Sequence, residues 1–245
     1  MRSDHRQEWY EYHLCDLKGD MQRTLDVERG GQVIDSADPD IGGSGTITVV
    51  LSPDDVIDWD RAMVRVWYRT TGGAWDKPLL TGYHRISRST VAAESVQVQV
   101  DVYDTTDALR TYYLPRIFGV AAGTLIVARV REMITEAAPL LEVVLPESDT
   151  VLAEGMTWPA NTPWLTIINA LLKAAAIDSL RADGMGTLRA DPLTPGAEKP
   201  IEWQHRNDVT SLIAPGATRE ASDAAPNRLY VYRSTANGDP PDIAV

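Results

Sequence analysis

The chain has 245 residues, enough for one large or two modest domains with a buried core. With 23 Lys+Arg against 35 Asp+Glu its net charge is −12, which argues against a grip on nucleic acid through phosphates, since that requires a basic footprint. A single cysteine, Cys15, excludes an intrachain disulfide and any CxxC metal knuckle; no run of about 18 apolar residues suggests a membrane span, and the charged start MRSDHRQEWY lacks the apolar core of a signal peptide.

The first hundred residues read as strands. Residues 10–18 alternate loosely, 22–27 follow a Lys-Gly-Asp turn, and the β-branched run 46–51 sits behind the loop Gly42-Gly43-Ser44-Gly45. That loop leads into a strand and carries no Lys-Ser/Thr, so it is not a phosphate loop. Residues 62–69 (AMVRVWYR) alternate with period two, and 79–86 and 95–103 follow. In SVQVQVDVY, Val96, Val98, Val100 and Val102 share one face while Gln97, Gln99 and Asp101 share the other, the pattern of a half-buried strand. Six such strands separated by turns predict a barrel or sandwich.

The pattern changes after Asp104. Ile126, Val130, Met133, Ile134 and Ala137 predict an amphipathic helix over 123–137, closed by Pro139, and 140–145 reads as a short apolar strand. A second helix follows: Thr162 is the expected N-cap, Pro163 the first helical residue, and Leu165, Ile168, Leu171, Leu172 and Ala175 the apolar face. It runs into SLRAD-GMG-TLRAD, two near-identical runs around a glycine turn that predict a tight hairpin, an element built to fit against a neighbour. Pro192, Pro195, Gly196 and Pro200 mark a linker, after which 201–204 and 228–233 are strand candidates. The expected organisation is mainly β with an α+β insertion: a β-domain over 1–105, a small α/β domain over 106–195, and return strands over 196–245. The tail ANGDPPDIAV closes no element, so the expectation is that the chain continues or that a partner completes its sheet.

Candidates for chemistry are few. His5, His13, His84 and His205 form no HxxxH or HExxH spacing, and no GxSxG elbow is present. Asp35, Asp38 and Asp40 have oxygen-rich spacing, but the glycine and glutamate of a calcium loop are misplaced or missing, so a solvated turn is the better reading. Asp54, Asp55, Asp58 and Asp60 could pair carboxylates for glycoside hydrolysis, yet they also suit turns and caps. Trp59, Trp67 and Trp75, with Tyr68, could stack a carbohydrate or anchor a core. No catalytic, cofactor-binding or metal-binding residue is assigned, and no cofactor is expected.

Taken in order, residues 6–12 (RQEWYEY), Arg29-Gly30-Gly31, the Gly-Ser-Gly loop into TITV, IDWDRAMVRVWYR (57–69), PLLTGYHRIS (78–87), VDVYDTTDAL (100–109), the helix–hairpin segment and AAPNRLYVY (224–232) resemble the baseplate-hub or minor tail proteins of long-tailed bacteriophages of actinobacterial type, relatives of the hubs of contractile injection machines. The resemblance implies a non-enzymatic virion protein of the tail tip: a split-barrel ring, commonly a homotrimer, that closes the tail tube. It implies contacts to a distal tail protein at the tube end and to fibre, spike or other minor tail proteins. DNA would pass through the lumen only in transit, and Asp101, Asp104 and Asp107 are candidates for an acidic lining that lets it slide. Two other readings stay open on the sequence: a tail-associated cell-wall hydrolase using the Asp54–Asp60 carboxylates, and a carbohydrate-binding module built on the tryptophans.

Overall fold

Strand-forming alternation dominates the first half of the chain, and in the computed structural model it produces one antiparallel sheet. The structure describes residues 7–28, 31–34, 42–73, 76–92 and 94–194, together with two strands at 231–232 and 243–244. The chain divides into two units, Met1–Thr194 and Pro195–Val245.

In the first unit, strands β1 (Glu8–Asp16), β2 (Met21–Leu25), β3 (Gln32–Ile34), β4 (Ser44–Leu51), β5 (Ala62–Thr70), β6 (Lys77–Val91) and β7 (Val96–Asp104) form a seven-stranded sheet of order β2-β1-β5-β6-β7-β4-β3. The chain leaving β2 crosses to β4, where Val27 bridges Val49 and the amides of Glu28 and Val50 bond the carbonyls of Thr48 and Asp26 at 2.9 Å each. The sheet is thus curled until its two edges nearly meet, without a continuous closing ladder. Ile47, Val49 and Leu51 of β4 and Val98, Val100 and Val102 of β7 fill the inner face with Leu14, Leu25, Val64, Val66 and Leu80. The alternation read in β7 is therefore the burial alternation of the sheet.

β6 is longer than its sequence pattern predicts. Its first part pairs with β5 and its remainder with β7, and Gly82 sits at the handover, opposite both Val64 and Asp104. A Cβ built there would lie 1.7 Å from the Tyr103 carbonyl oxygen, so only glycine fits.

The α/β lobe begins with α1 (Asp107–Arg110) and β8 (Phe118–Val120), followed by α2 (Ile126–Ala137), β9 (Val143–Val144), β10 (Met156–Trp158), α3 (Trp164–Ala174), β11 (Arg181–Ala182) and β12 (Leu188–Arg189). β10 pairs with β8 antiparallel, and β12 lies between β11 (antiparallel) and β9 (parallel). Its core is separate from that of the sheet. Ile126, Val130, Met133 and Ile134 of α2 pack with Leu165, Ile168, Leu171 and Leu172 of α3, as their spacing predicts. Trp164 and Ile167 are buried as well, so α3 is enclosed over a wider arc than one stripe.

Several boundaries differ from expectation. α2 starts at Ile126 because Gly123 holds φ +81°, outside the helical region. Pro163, with ψ 141°, is the cap of α3 and not its first helical residue, and the Thr162 hydroxyl donates back to the Pro159 carbonyl at 2.8 Å instead of capping. The strand expected over 140–145 is reduced to Val143–Val144. The second unit contributes β13 (Val231–Tyr232), inside the strand expected over 228–233, paired antiparallel with β14 (Ile243–Ala244), which lies in the tail expected to close no element and corrects that expectation; the strand candidate at 201–204 lies outside the described residues.

α3 ends in a left-handed turn carried by Ala176 at φ +55°, with the Ile177 amide bonding the Leu172 carbonyl at 2.9 Å. Glycine is the usual residue there, because a Cβ costs roughly 1–2 kcal/mol in that conformation. Ala176 is exposed and contributes no core packing. Ala176→Gly is expected to stabilise the chain by about 1 kcal/mol in urea unfolding, after the chain-entropy cost of glycine; destabilisation would mean the alanine is held by contacts that outweigh its strain.

Candidate functional site

The polar groups of the first unit concentrate where the β11–β12 hairpin meets the sheet. The turn Asp183-Gly184-Met185-Gly186-Thr187 is closed by the Asp183 amide on the Thr187 carbonyl (2.9 Å) and the Gly186 amide on the Asp183 carbonyl (2.8 Å). The Asp183 carboxylate accepts the amides of Met185 (2.9 Å) and Thr187 (3.0 Å) and binds Arg189 Nε at 2.7 Å. Gly186 takes φ +89°, the conformation for which the sequence places glycine there.

So stiffened, the turn offers its carbonyls to the sheet. Thr81 Oγ1 donates to the Gly184 carbonyl at 2.8 Å, and Thr105 Oγ1 donates to the Gly186 carbonyl at 2.9 Å. Arg65 of β5 is 6% exposed and gives Nε to Thr81 Oγ1 (2.8 Å) and Nη2 to the Gly19 carbonyl (2.8 Å) and, more distantly, to that of Met185 (3.5 Å). It has no ion-pair partner among the described residues; carbonyl and hydroxyl oxygens hold its charge. A Cβ on Gly184 would lie 2.1 Å from the Pro78 carbonyl oxygen, so the turn rests on β6 at backbone distance.

Beside this joint runs a cleft of about 740 Å³ between Pro78–Leu80 of β6 and the hairpin flank Asp178–Gly184, floored by Gly42, Gly43 and Asp104. Asp104 is 5% exposed and is consumed by the fold: its carboxylate accepts the amides of Gly43 and Thr106 and the Thr106 hydroxyl. Asp107, 7% exposed, is bound by Arg85 at 2.8 Å and Arg110 at 3.5 Å. Both of these candidates for an acidic lining are therefore already partnered within the chain, and neither is a free charge. Asp101 lies on the outer face, directly opposite Arg85, and accepts the Thr46 hydroxyl at 2.9 Å.

The other candidates are dispersed. Asp55 binds Arg23 at 3.0 Å and accepts the Ser52 amide; the Arg23 hydrogen bond, then the Ser52 amide, hold its pKa below the usual carboxylate value. Asp58 precedes the short 3-10 turn Trp59–Arg61 and Asp60 lies within it, so these residues shape the entry to β5. His13 is buried on β1 beside Glu11 at 3.6 Å, and burial lowers its pKa despite that neighbour. His84 packs on Trp59 with ring centroids 5.0 Å apart and the rings tilted by 57°; burial lowers its pKa as well, against a hydrogen bond to the Ala62 backbone and the charge of Asp60. Trp59 packs on the sheet core before β5, whereas Trp67 lies towards the far end of β5 beneath the Arg69 guanidinium, 4.4 Å from its ring centre. They form no shared platform. His5, His205, Asp35, Asp38, Asp40 and Trp75 lie outside the described residues. Among the described residues, no group of three or more His, Cys, Asp and Glu is placed to hold a metal, and no helix is long and apolar enough to cross a membrane.

Sequence reasoning did not single out Arg65, Thr81 and Thr105. Arg65 at an inward-and-outward buried strand offered the one available signal, a cation within the apolar run AMVRV.

A curled antiparallel sheet joined to an α/β lobe is a fold that this chain shares with solved structures of other proteins. It is shared with the tail protein of Neisseria meningitidis MC58 (TM-score 0.50, 15% identity, 74% of this chain and 50% of that one). It is shared too with a chain of the lidded Francisella PdpA-VgrG complex (TM-score 0.52, 7% identity, 79% and 29%). The 43 kDa tail protein of prophage MuSo2 from Shewanella oneidensis also aligns (TM-score 0.48, 13% identity, 74% and 52%). The chain thus spans about half the length of these two tail proteins. No protein-family model matches the chain, and no curated protein matches it in sequence.

Gly184→Ala drives a methyl group into the Pro78 carbonyl, and overpacking of this kind typically costs about 1–3 kcal/mol. That loss should appear in urea unfolding, and an unchanged midpoint would show that the turn does not bear on β6.

Proposed function

We propose that this chain is a structural virion protein of a phage-type tail, a hub or minor tail protein at the tail tip. The observation that carries the reading is the shared fold with the Neisseria meningitidis tail protein, at TM-score 0.50 over 74% of this chain. In this reading residues 1–105 form a split-barrel hub domain, 106–195 an α/β insertion, and 196–245 return strands. Copies of the chain assemble into a ring, a trimer by the family resemblance, that closes the tail tube. The ring joins a distal tail protein on one side and fibre or spike proteins on the other, and DNA passes through it on ejection.

The chemistry of the site supports a mechanical role. The buried polar groups, Arg65, Thr81, Asp104, Thr105 and Asp107, are each spent on hydrogen bonds or ion pairs that join segments of the chain. Of the titratable side chains that line the cleft, Asp104 is saturated by neighbouring donors, Asp183 is held in the hairpin turn with Arg189, and Arg181 is paired with Asp191, while Lys77 and Asp178 complete the lining. We therefore assign no catalytic residue. The net charge of −12 suits a tube end that must release a polyanion.

Gold-labelled antibody against the chain, applied to purified tails, tests this directly. Label confined to one end of the tail, distal to the head, is the expected result. Absence from tails, or label distributed along the tube, would overturn the assignment.

A further inference from the structure

We propose that residues 112–138 and 150–176 are two copies of one strand-turn-helix unit, related by a two-fold axis through the Gly119–Thr157 pair, and that the second copy alone is adapted to hold the hairpin. The repeat goes beyond the tail reading and does not rest on it. One spacing runs through both copies. β8 starts at Phe118 and β10 at Met156, α2 at Ile126 and α3 at Trp164, each pair 38 positions apart. The turn between strand and helix holds a left-handed residue at the same place, Gly123 at φ +81° and Asn161 at φ +62°. Glycine and asparagine are residues that adopt this conformation readily. Each helix is then entered from an extended residue of similar geometry, Leu125 at φ −64°, ψ 112° and Pro163 at φ −58°, ψ 141°.

The contacts between the copies are reciprocal, as a two-fold relation requires. The Gly123 amide bonds the Leu152 carbonyl at 2.8 Å, and the Asn161 amide bonds the Leu114 carbonyl at 2.9 Å. The Ile126 amide bonds the Thr150 carbonyl at 3.1 Å, and the Trp164 amide bonds that of Tyr112 at 3.0 Å. Leu125 bridges Val151 as Pro163 bridges Tyr113. Val120 opposes Met156 and Phe118 opposes Trp158, which leaves Gly119 opposite Thr157 on the axis. Exchanging each residue for its counterpart turns every one of these contacts into its mate. Two segments alike by chance would share their own shapes but not this set of contacts between them.

Sequence hides the repeat, because only small or buried residues recur: Leu114, Ala122 and Thr124 return as Leu152, Ala160 and Thr162. At core positions the type is kept, with Ile126, Val130 and Met133 of α2 matched by Trp164, Ile168 and Leu171 of α3. The positions that change character are those that α2 gives to solvent. Arg129, Arg131 and Glu132 of the first copy stand where the second has Ile167, Asn169 and Ala170. On α2, Arg131 and Glu132 are exposed and Arg129 pairs with Glu132 at 2.8 Å. On α3, Ile167 is 1% exposed, and Asn169 Oδ1 accepts the Leu180 amide at 3.0 Å, where the chain enters the hairpin. The second copy has thus replaced a charged surface by one that fixes the hairpin, and the hairpin turn is the part seated on the sheet.

The test uses the full chain. Leu125→Pro combined with Gly123→Asn writes the second turn into the first copy. Proline destabilises a chain wherever φ or a bonded amide forbids it. Here the urea-unfolding midpoint should match wild type, and the Ile126 amide should stay as protected from exchange as before. A lowered midpoint, or a chain that does not fold, would overturn the equivalence of the copies. Specialisation is read separately. Asn169→Arg, which gives the second copy the first copy's residue, should speed exchange of the Leu180 amide at least tenfold. Arg131→Asn, the reverse exchange, should leave the midpoint unchanged. Asn169→Ala should speed Leu180 as Asn169→Arg does, and serves if the arginine prevents folding. Leu180 exchange indifferent to the loss of Asn169, or a midpoint lowered by Arg131→Asn, would overturn the assignment of the hairpin to the second copy.

Discussion

The contact on which the first unit depends is a hairpin turn seated on a sheet through its own carbonyls. Two separate cores are present, one inside the curled sheet and one between α2 and α3. What joins them is polar: Thr81 and Thr105 donate to Gly184 and Gly186, and Arg65 stands behind Thr81. Such bonds are individually modest, on the order of 1 kcal/mol, but an unmade one leaves a buried donor or acceptor that costs about 1–3 kcal/mol. The joint is consequently specific in register. Slipping the hairpin by one residue would strand Thr81, Thr105 and two carbonyls together.

The glycines are the other half of that arrangement. Gly186 permits the turn, Gly184 allows it to approach the Pro78 carbonyl, and Gly82 lets β6 pass from β5 to β7 across the Tyr103 carbonyl. Each answers a close backbone approach that a Cβ would block. The acidic residues nearest the joint are likewise structural: Asp183 stiffens the turn, Asp104 ties β7 to the Gly43 loop, and Asp107 collects Arg85 and Arg110. The acidity of the chain overall is therefore a poor guide to what any one buried carboxylate does.

Much of the scaffold was legible in the sequence because burial in an antiparallel sheet and in a packed helix both leave a period. β1, β4, β5 and β7, the apolar faces of α2 and α3, and the SLRAD/TLRAD hairpin could all be read this way. The elements that escaped have too few residues to show a period: β3, β8 and β10 at three residues each, and α1 at four. The outer half of β6 escaped for a different reason, since both its faces are exposed and the segment ISRSTV has no clean alternation. The joint itself was half legible. The glycine turn announced an element made to dock, but its receptor, Arg65 with Thr81 and Thr105, is assembled from three places that only the fold brings together. Thr162 misled because a hydroxyl before a proline reads as a cap, and here it bonds backwards instead.

The central claim is that the hairpin joint couples the two cores, and native-state hydrogen exchange of Thr105→Val tests it most directly. Thr105 is fully buried and its hydroxyl donates to the Gly186 carbonyl, so the substitution removes a bond between sheet and hairpin while nearly conserving volume. If the joint is broken whenever either core opens, protection should fall by a similar amount, about 1–3 kcal/mol, at amides of β7 such as Val100 and of α3 such as Leu171. A fall confined to one core, or no fall in either, would contradict the account.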